Sequence, residues 1–234
     1  MFKNSTIIVT WAGDWLWKAL TKRLHWLWAI VIWVSKTQSK LDQLQNELSE
    51  RFFPFQCNLS QKDQLNNVYD TILKQFPVID ILVNNAAIRY EWPIWNHDLD
   101  TLQSLVMTNI FWVMWSVYKI LPGMKEHRRG QILNINSTAW IDICKDRSPY
   151  AWTKFAITGY TKWLYEECAE YGIKVMQFHP WWMNTNIFET FKEWYGNHDW
   201  MMDKEKIVDI LIVMLSQSND MVIDSVVVRK IGKI

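Results

Sequence analysis

Apolar residues in this chain fall into two kinds of segment that alternate along its length. Short continuous runs at Thr6–Thr10, Ala29–Val34, Phe52–Cys57, Ile79–Val83, Ile132–Ile135, Ile173–Phe178 and Met221–Val228 read as strands, with Ala29–Val34 buried on both faces as in parallel sheets. Between them the spacing becomes helical. Leu65, Val68, Tyr69, Ile72, Leu73 and Phe76 recur on one face, which predicts core packing. Further helices are expected from the segment after Thr10 to about Trp26, over Leu41–Leu48, over Asp98–Met124, from Pro149 to about Tyr171, and over Asp203–Leu215. Ser60 is the expected N-cap of the third helix, with Asp63 completing a capping box. Gly172 is placed to end the Pro149 helix in a left-handed conformation. Pro54 suits an edge strand, where no ladder donor is needed. Strand and helix in alternation predict one α/β domain over residues 1–234, a doubly wound parallel sheet of six to seven strands with helices on both faces.

Composition narrows the function classes. A formal net charge of +1 gives no nucleic-acid footprint. The longest apolar run, Trp26 to Val34, is too short to span a bilayer, and Ser5 and Thr6 lead directly into a strand rather than a signal peptide. Cys57, Cys144 and Cys168 are odd in number and widely spaced, which argues against a disulfide framework or a metal site and for the cytoplasm. One feature is abnormal: 17 Trp stand beside only 7 Gly, the reverse of ordinary usage.

The candidate chemistry lies between Gly130 and Lys154. Tyr150 and Lys154 are four apart on a helix opened by Pro149, so they share a face. An ammonium beside a phenol favours the phenolate, and Lys154 is expected to lower the pKa of Tyr150. Ser137, at the end of the preceding strand, would bond a substrate oxygen at the same place. A Tyr-x-x-x-Lys pair alone is common on helix surfaces, so its surroundings decide its meaning.

Those surroundings carry a resemblance. Leu82-Val-Asn-Asn-Ala86, Asn109, Ser137, Tyr150-Ala-Trp-Thr-Lys154 and Pro180 through Thr185 resemble, in order and spacing, the motif series of the short-chain dehydrogenases/reductases. The resemblance runs from Thr6 to about Arg229 and implies a Rossmann-type fold. It implies a catalytic set of Asn109, Ser137, Tyr150 and Lys154. It also implies cofactor contacts from Thr10, Trp11, Trp15, Leu16, Trp17, Ser35, Lys36, Asn58, Leu59, Asn85, Ala86, Tyr150, Lys154, Pro180 and Thr185, with no metal. Residues 186–202, which include Phe188, Phe191, Trp194, Tyr195, Met201 and Met202, correspond to the family's substrate lid. Ser35 followed by Lys36 resembles the NADP(H)-selecting pattern, in which a cation meets the 2′-phosphate; Asp14 in the phosphate loop weighs towards NAD(H), which stays possible.

The chain departs from the family at its glycines. Trp11, Trp15 and Trp17 stand at all three glycines of the phosphate loop, and Trp28, Trp112, Trp140 and Trp181 replace others. Glycine there permits a tight turn and close approach to a pyrophosphate, and an indole permits neither. A gene that reads UGA as glycine, translated with UGA as tryptophan, would produce this pattern; deliberate substitution is the other explanation. The reading is therefore an NAD(P)(H)-dependent oxidoreductase interconverting a small-molecule carbonyl and alcohol, as a homodimer or homotetramer, with neither nucleic acid nor membrane as partner. A non-catalytic nucleotide-binding or scaffold protein, or a chain inactive because Trp blocks the phosphate loop, remains the alternative.

Overall fold

The computed structural model describes residues 2–10, 15–48, 50–58, 61–183 and 201–231. Seven parallel strands form one sheet: β1 (Thr6–Thr10), β2 (Ile30–Ser35), β3 (Phe52–Gln56), β4 (Ile81–Asn84), β5 (Gly130–Ile135), β6 (Ile173–Pro180) and β7 (Ser225–Val228). Their order across the sheet is β3-β2-β1-β4-β5-β6-β7. Pro54 thus sits on an edge strand, as its missing N–H requires. The last strand is shorter than the apolar run suggests, because only Ser225–Val228 finds partners on β6.

Among the described residues, six helical segments link the strands: α1 (Trp15–Trp26), α2 (Gln38–Leu48), α3 (Lys62–Gln75), the α4 (Leu99–Val106) and α5 (Trp112–Glu126) pair, α6 (Ser148–Ala169) and α7 (Lys204–Leu215). Alternate strand residues feed two cores. Ile7, Val9, Val31, Leu133 and Met176 face α1, α2 and α7 through Leu20, Leu41 and Leu211. Ile8, Ile32, Leu82, Ile132 and Val175 face α3, α5 and α6 through Leu65, Tyr69, Ile72, Val117 and Leu164. The helical periodicity of α3 is accordingly core, as its spacing predicts.

Two local expectations need correction. The N-cap of α3 is Gln61, with no side-chain cap bond; Gln64 turns back instead to accept from the Asn58 N–H at 2.9 Å, so Asp63 closes no box. The 98–124 helix begins one residue later, with Asp98 as N-cap accepting from the Thr101 N–H at 2.6 Å, and it is interrupted by a π-turn at Met107–Phe111. Gly172 does adopt φ +68 beyond the end of α6, where an added Cβ would lie 3.0 Å from the Arg128 carbonyl oxygen. Leu99–Glu126 is one helix long and apolar enough in composition to cross a membrane, yet Leu105, Trp112, Val113, Val117 and Ile120 on it are buried within the protein.

Candidate active site

The carboxyl ends of β4, β5 and β6 open into a cleft of about 1440 Å³, larger than the roughly 300–1,000 Å³ of a typical single-ligand pocket. It lies beside the β1–β4 junction, where the strand order reverses and ligands of open α/β sheets collect. Ser137 follows β5 in extended conformation, φ −165, and caps the short 3₁₀ turn Thr138–Trp140 by accepting from the Ala139 N–H at 3.1 Å. Its side chain and that of Tyr150 line the same cleft, near enough for Ser137 to favour the ionised phenol. Pro149 starts α6 without wasting an N–H, and the turn it sets brings Tyr150 and Lys154 against the strand ends.

Lys154 is tied in from two sides. Its Nζ donates to the Ile135 carbonyl oxygen at 3.1 Å, while Asn136 Nδ2 donates to the Lys154 carbonyl oxygen at 3.1 Å and to Thr158 Oγ1 at 2.7 Å. Asn136 therefore locks α6 to the end of β5 and holds the Tyr150–Lys154 face in register with Ser137.

The electrostatics differ from the sequence expectation. Burial pushes the Tyr150 phenol up from its ordinary pKa, against the charge of Arg89, the neighbouring Ser137 side chain and the charge of Arg147. Lys154 is not the cation that opposes this rise. Its Nζ lies 5.8 Å from the Tyr150 ring centre, and its own burial lowers its pKa to about 8. Desolvation thus outweighs the pairing that helical spacing suggested, and the phenol is held protonated, the form that donates to an oxygen.

Arg89, Glu91 and Arg147 escaped the sequence reading. Glu91 bridges the two arginines, with Arg147 Nε 2.8 Å from its Oε1 and Arg89 Nη2 in direct contact with the same oxygen. Both guanidinium groups lie over the Trp182 ring, at 4.6 Å for Arg89 and 4.5 Å for Arg147. A signal was present: Arg147 stands three residues before Tyr150, and Arg89 follows Asn84-Asn85-Ala86-Ala87. Charges in loops are ordinarily solvated, and here the fold buries them.

The remaining candidates divide. Trp17, Asn85, Ser137, Tyr150, Lys154 and Pro180 line the cleft. Thr10 is fully buried, donates to the Val83 carbonyl oxygen at 3.3 Å and accepts from the Asn85 N–H at 3.1 Å, so it braces the loop after β4 rather than facing the cleft. Leu16 and Ala86 belong to the two cores. Ser35 is buried, accepting from the Thr37 N–H at 3.4 Å; Lys36 is exposed, and Thr37 and Lys40 reach the cleft wall. Asn58 closes on Gln64 as described, away from the cleft. Asn109, in the π-turn, accepts from the Ile88 N–H at 2.8 Å and donates to the Ile88 carbonyl oxygen at 2.9 Å and to Thr153 Oγ1 at 3.0 Å. It braces the segment leading to Arg89 and the middle of α6. Trp11, Leu59, Thr185, residues 186–200 of the lid and the Trp15 side chain lie outside the described residues.

The family model for short chain dehydrogenase matches residues 5–196. The chain belongs to the short-chain dehydrogenase family. It is an oxidoreductase of that family, similar to an uncharacterised oxidoreductase of Staphylococcus aureus, 25% identical over 227 residues that make up 96% of each chain. Two solved short-chain dehydrogenase-fold structures share its architecture. A metagenomic short-chain oxidoreductase in complex with NADP superposes with a TM-score of 0.86 at 21% identity, covering 99% of both chains. The 3-ketoacyl-(acyl-carrier-protein) reductase of Brucella melitensis, complexed with NADH, gives 0.88 at 21% identity, with 97% of each covered.

Proposed function

We propose that this protein, read as one domain, interconverts a small-molecule carbonyl and its alcohol with a nicotinamide dinucleotide, NADP(H) in preference to NAD(H). The observation that carries the reading is that Ser137 and Tyr150 line one cleft, with Lys154 one helical turn from Tyr150 in the same cleft. A substrate oxygen seated there meets two hydroxyl donors. Tyr150 gives or takes the proton at that oxygen, and Ser137 orients and polarises the carbonyl. Lys154 supplies the adjacent ammonium and would hold the nicotinamide ribose, while Asn109 keeps the Ile88 segment and α6 in place. When bound, the dinucleotide supplies or accepts the hydride.

The cleft fits such a group in its described part: Asn85 and Pro180 flank it, and Thr37 and Lys40 extend it past the end of β2. NADP(H) is favoured because the end of β2 offers Ser35 and two nearby cations, Lys36 and Lys40, rather than an acid. The metagenomic neighbour holds NADP and the Brucella enzyme NADH, so both cofactors occur on this architecture. The test is direct. Each cofactor is titrated, and absorbance of the reduced nicotinamide is followed across a carbonyl panel. Turnover with preference for NADP(H) is expected; cofactor binding with no turnover on any carbonyl would favour the scaffold reading.

The tryptophans bear on whether the chain as written can work. We propose that the native protein has glycine at the family's glycine positions. Trp28 has φ +67, a conformation that suits glycine and strains an indole. Trp112 buries its indole N–H without a hydrogen-bond partner among the described residues, a cost glycine would not incur. Helices α5 and α6 expose Met114, Tyr118 and Phe155, apolar surface of the kind a homodimer or homotetramer covers. The expected setting is the cytoplasm.

A further inference from the structure

Ser137 is held by more than the strand that precedes it. Its hydroxyl caps the Thr138–Trp140 turn, and the Thr138 carbonyl oxygen accepts from the Ile141 and Asp142 N–H groups, each at 2.8 Å. Residues 137–142 therefore form one hydrogen-bonded unit. Its start is fixed to the sheet, where the Asn136 N–H donates to the Phe178 carbonyl oxygen at 2.8 Å. Its far end is fixed by Arg229, 87 residues away in the chain. Arg229 Nη1 donates to Asp142 Oδ2 at 2.8 Å, and Nη2 donates to Oδ1 at 2.9 Å. Two parallel bonds from a planar guanidinium set direction as well as distance. Arg229 is itself anchored, because Val228 before it pairs with Pro180 on β6 and accepts from the Trp181 N–H at 2.9 Å. Ser137, Asp142, Arg229 and Pro180 all line the cleft. The connections close a ring from β5, through the Ser137 turn, to β7 and back across β6.

The Arg229 and Asp142 side chains are 42% and 33% exposed, and pairs so placed add little to overall stability. A two-bond fork on the cleft wall is better suited to directing a turn than to holding a fold. A second tether runs from Trp140 Nε1 to His179 Nδ1 at 2.7 Å, and a glycine at position 140 would lack it. We propose that Arg229 and Asp142 are positioning residues that keep Ser137 in the place from which it polarises the substrate carbonyl. This rests on the oxidoreductase reading of Ser137 and Tyr150. The pair acts only through the turn, and its effect on rate is large because a displacement of about 1 Å can cost on the order of a hundredfold.

The experiment follows reduction of 4-nitrobenzaldehyde by NADPH. Rates are expressed per NADPH site counted by fluorescence titration, so that lost folded protein does not pass for lost rate. Arg229→Gln and Asp142→Asn should each lower kcat about tenfold or more and leave the KM for NADPH unchanged. Arg229→Lys keeps the charge but not the fork and should fall between. The reversed pair, Arg229→Asp with Asp142→Arg, should regain most of the rate. Hydrogen exchange read by mass spectrometry needs no turnover. Amides of the 138–142 segment should exchange about tenfold faster in Arg229→Gln, the scale of a lost charge-assisted bond, and faster again with Trp140→Gly added. The Ile94–Asn96 turn should keep its rate. Unchanged exchange at 138–142 would overturn the proposal, because the fork would not hold the turn. So would faster exchange with undiminished kcat, because the turn would then not govern Ser137. If the parent turns over no carbonyl of the panel, the oxidoreductase reading fails, and the exchange rates alone uphold or overturn the fork's hold on the turn.

Discussion

The Arg89 guanidinium lies 5.4 Å from the centre of the Tyr150 ring, closer than the 5.8 Å that separates that ring from the Lys154 ammonium. Two cations from different parts of the chain therefore attend the same phenol. Lys154 arrives through helical spacing, and Arg89 through the loop after β4. Burial still prevails and keeps the phenol protonated, so the site is set for donating a proton to an oxygen before any ligand enters.

Replacing the phenol tests that role. Tyr150→Phe keeps the ring that fills the space below Arg89 and removes only the hydroxyl. Carbonyl turnover should fall by at least about a hundredfold, the usual contribution of a positioned acid or base, while cofactor affinity, measured by fluorescence titration, stays the same. Retained turnover would remove Tyr150 from the chemistry.

Lys154 should leave a signature in stability against pH. Its folded pKa, about 8, is below the 10.5 of the free group. Between those values the unfolded chain binds more protons than the folded one, so this residue makes stability rise with pH there. Below about pH 8 the burial penalty is fully present, on the order of 3 kcal/mol at roughly 1.4 kcal/mol per pKa unit. Lys154→Met should thus be more stable than the parent in urea at pH 7, and the gap should close as pH rises towards 10.5. A gap independent of pH would show that the ammonium is not strained by burial.

Cofactor choice is read at the end of β2. Lys36→Ala should lower kcat/KM for NADP about tenfold, the value of one charge-assisted contact, and leave NAD unchanged. Initial rates with both cofactors measure it; equal losses would assign Lys36 a purely structural part. Lys36→Ala combined with Lys40→Ala should erase the preference.

The glycine proposal is checked by mass and by stability. Intact mass of the protein from its native host should be lower than that of the printed chain by a whole number of Trp-to-Gly differences. A mass that retains all 17 tryptophans would refute it. In the printed chain, Trp28→Gly should raise stability by up to about 1 kcal/mol in urea, since a left-handed non-glycine residue costs about 1–2 kcal/mol and the Arg51 cation–π contact returns only part of it. Ordinary large-to-small changes run the other way.

Local spacing was enough to read the sheet and to bring forward candidates that the fold gathers in one cleft. Continuous apolar runs mark strands sandwiched between helices, because a strand buried on both faces has no polar side to alternate. Tyr150 and Lys154 are legible for a similar reason: four residues on a helix always return to the same face. Ser137 was placed by the strand that ends just before it. What spacing cannot express is distance between segments far apart in the chain. Glu91 meets Arg147 only because the loop after β4 and the start of α6 converge, and no local pattern encodes that approach. Nor could it weigh desolvation against charge at Tyr150, since burial is a property of everything packed around a group rather than of its neighbours in the chain. For the same reason the resemblance can set Asn109 in the catalytic set, while its bonds to Ile88 and Thr153 come only with the close of the fold.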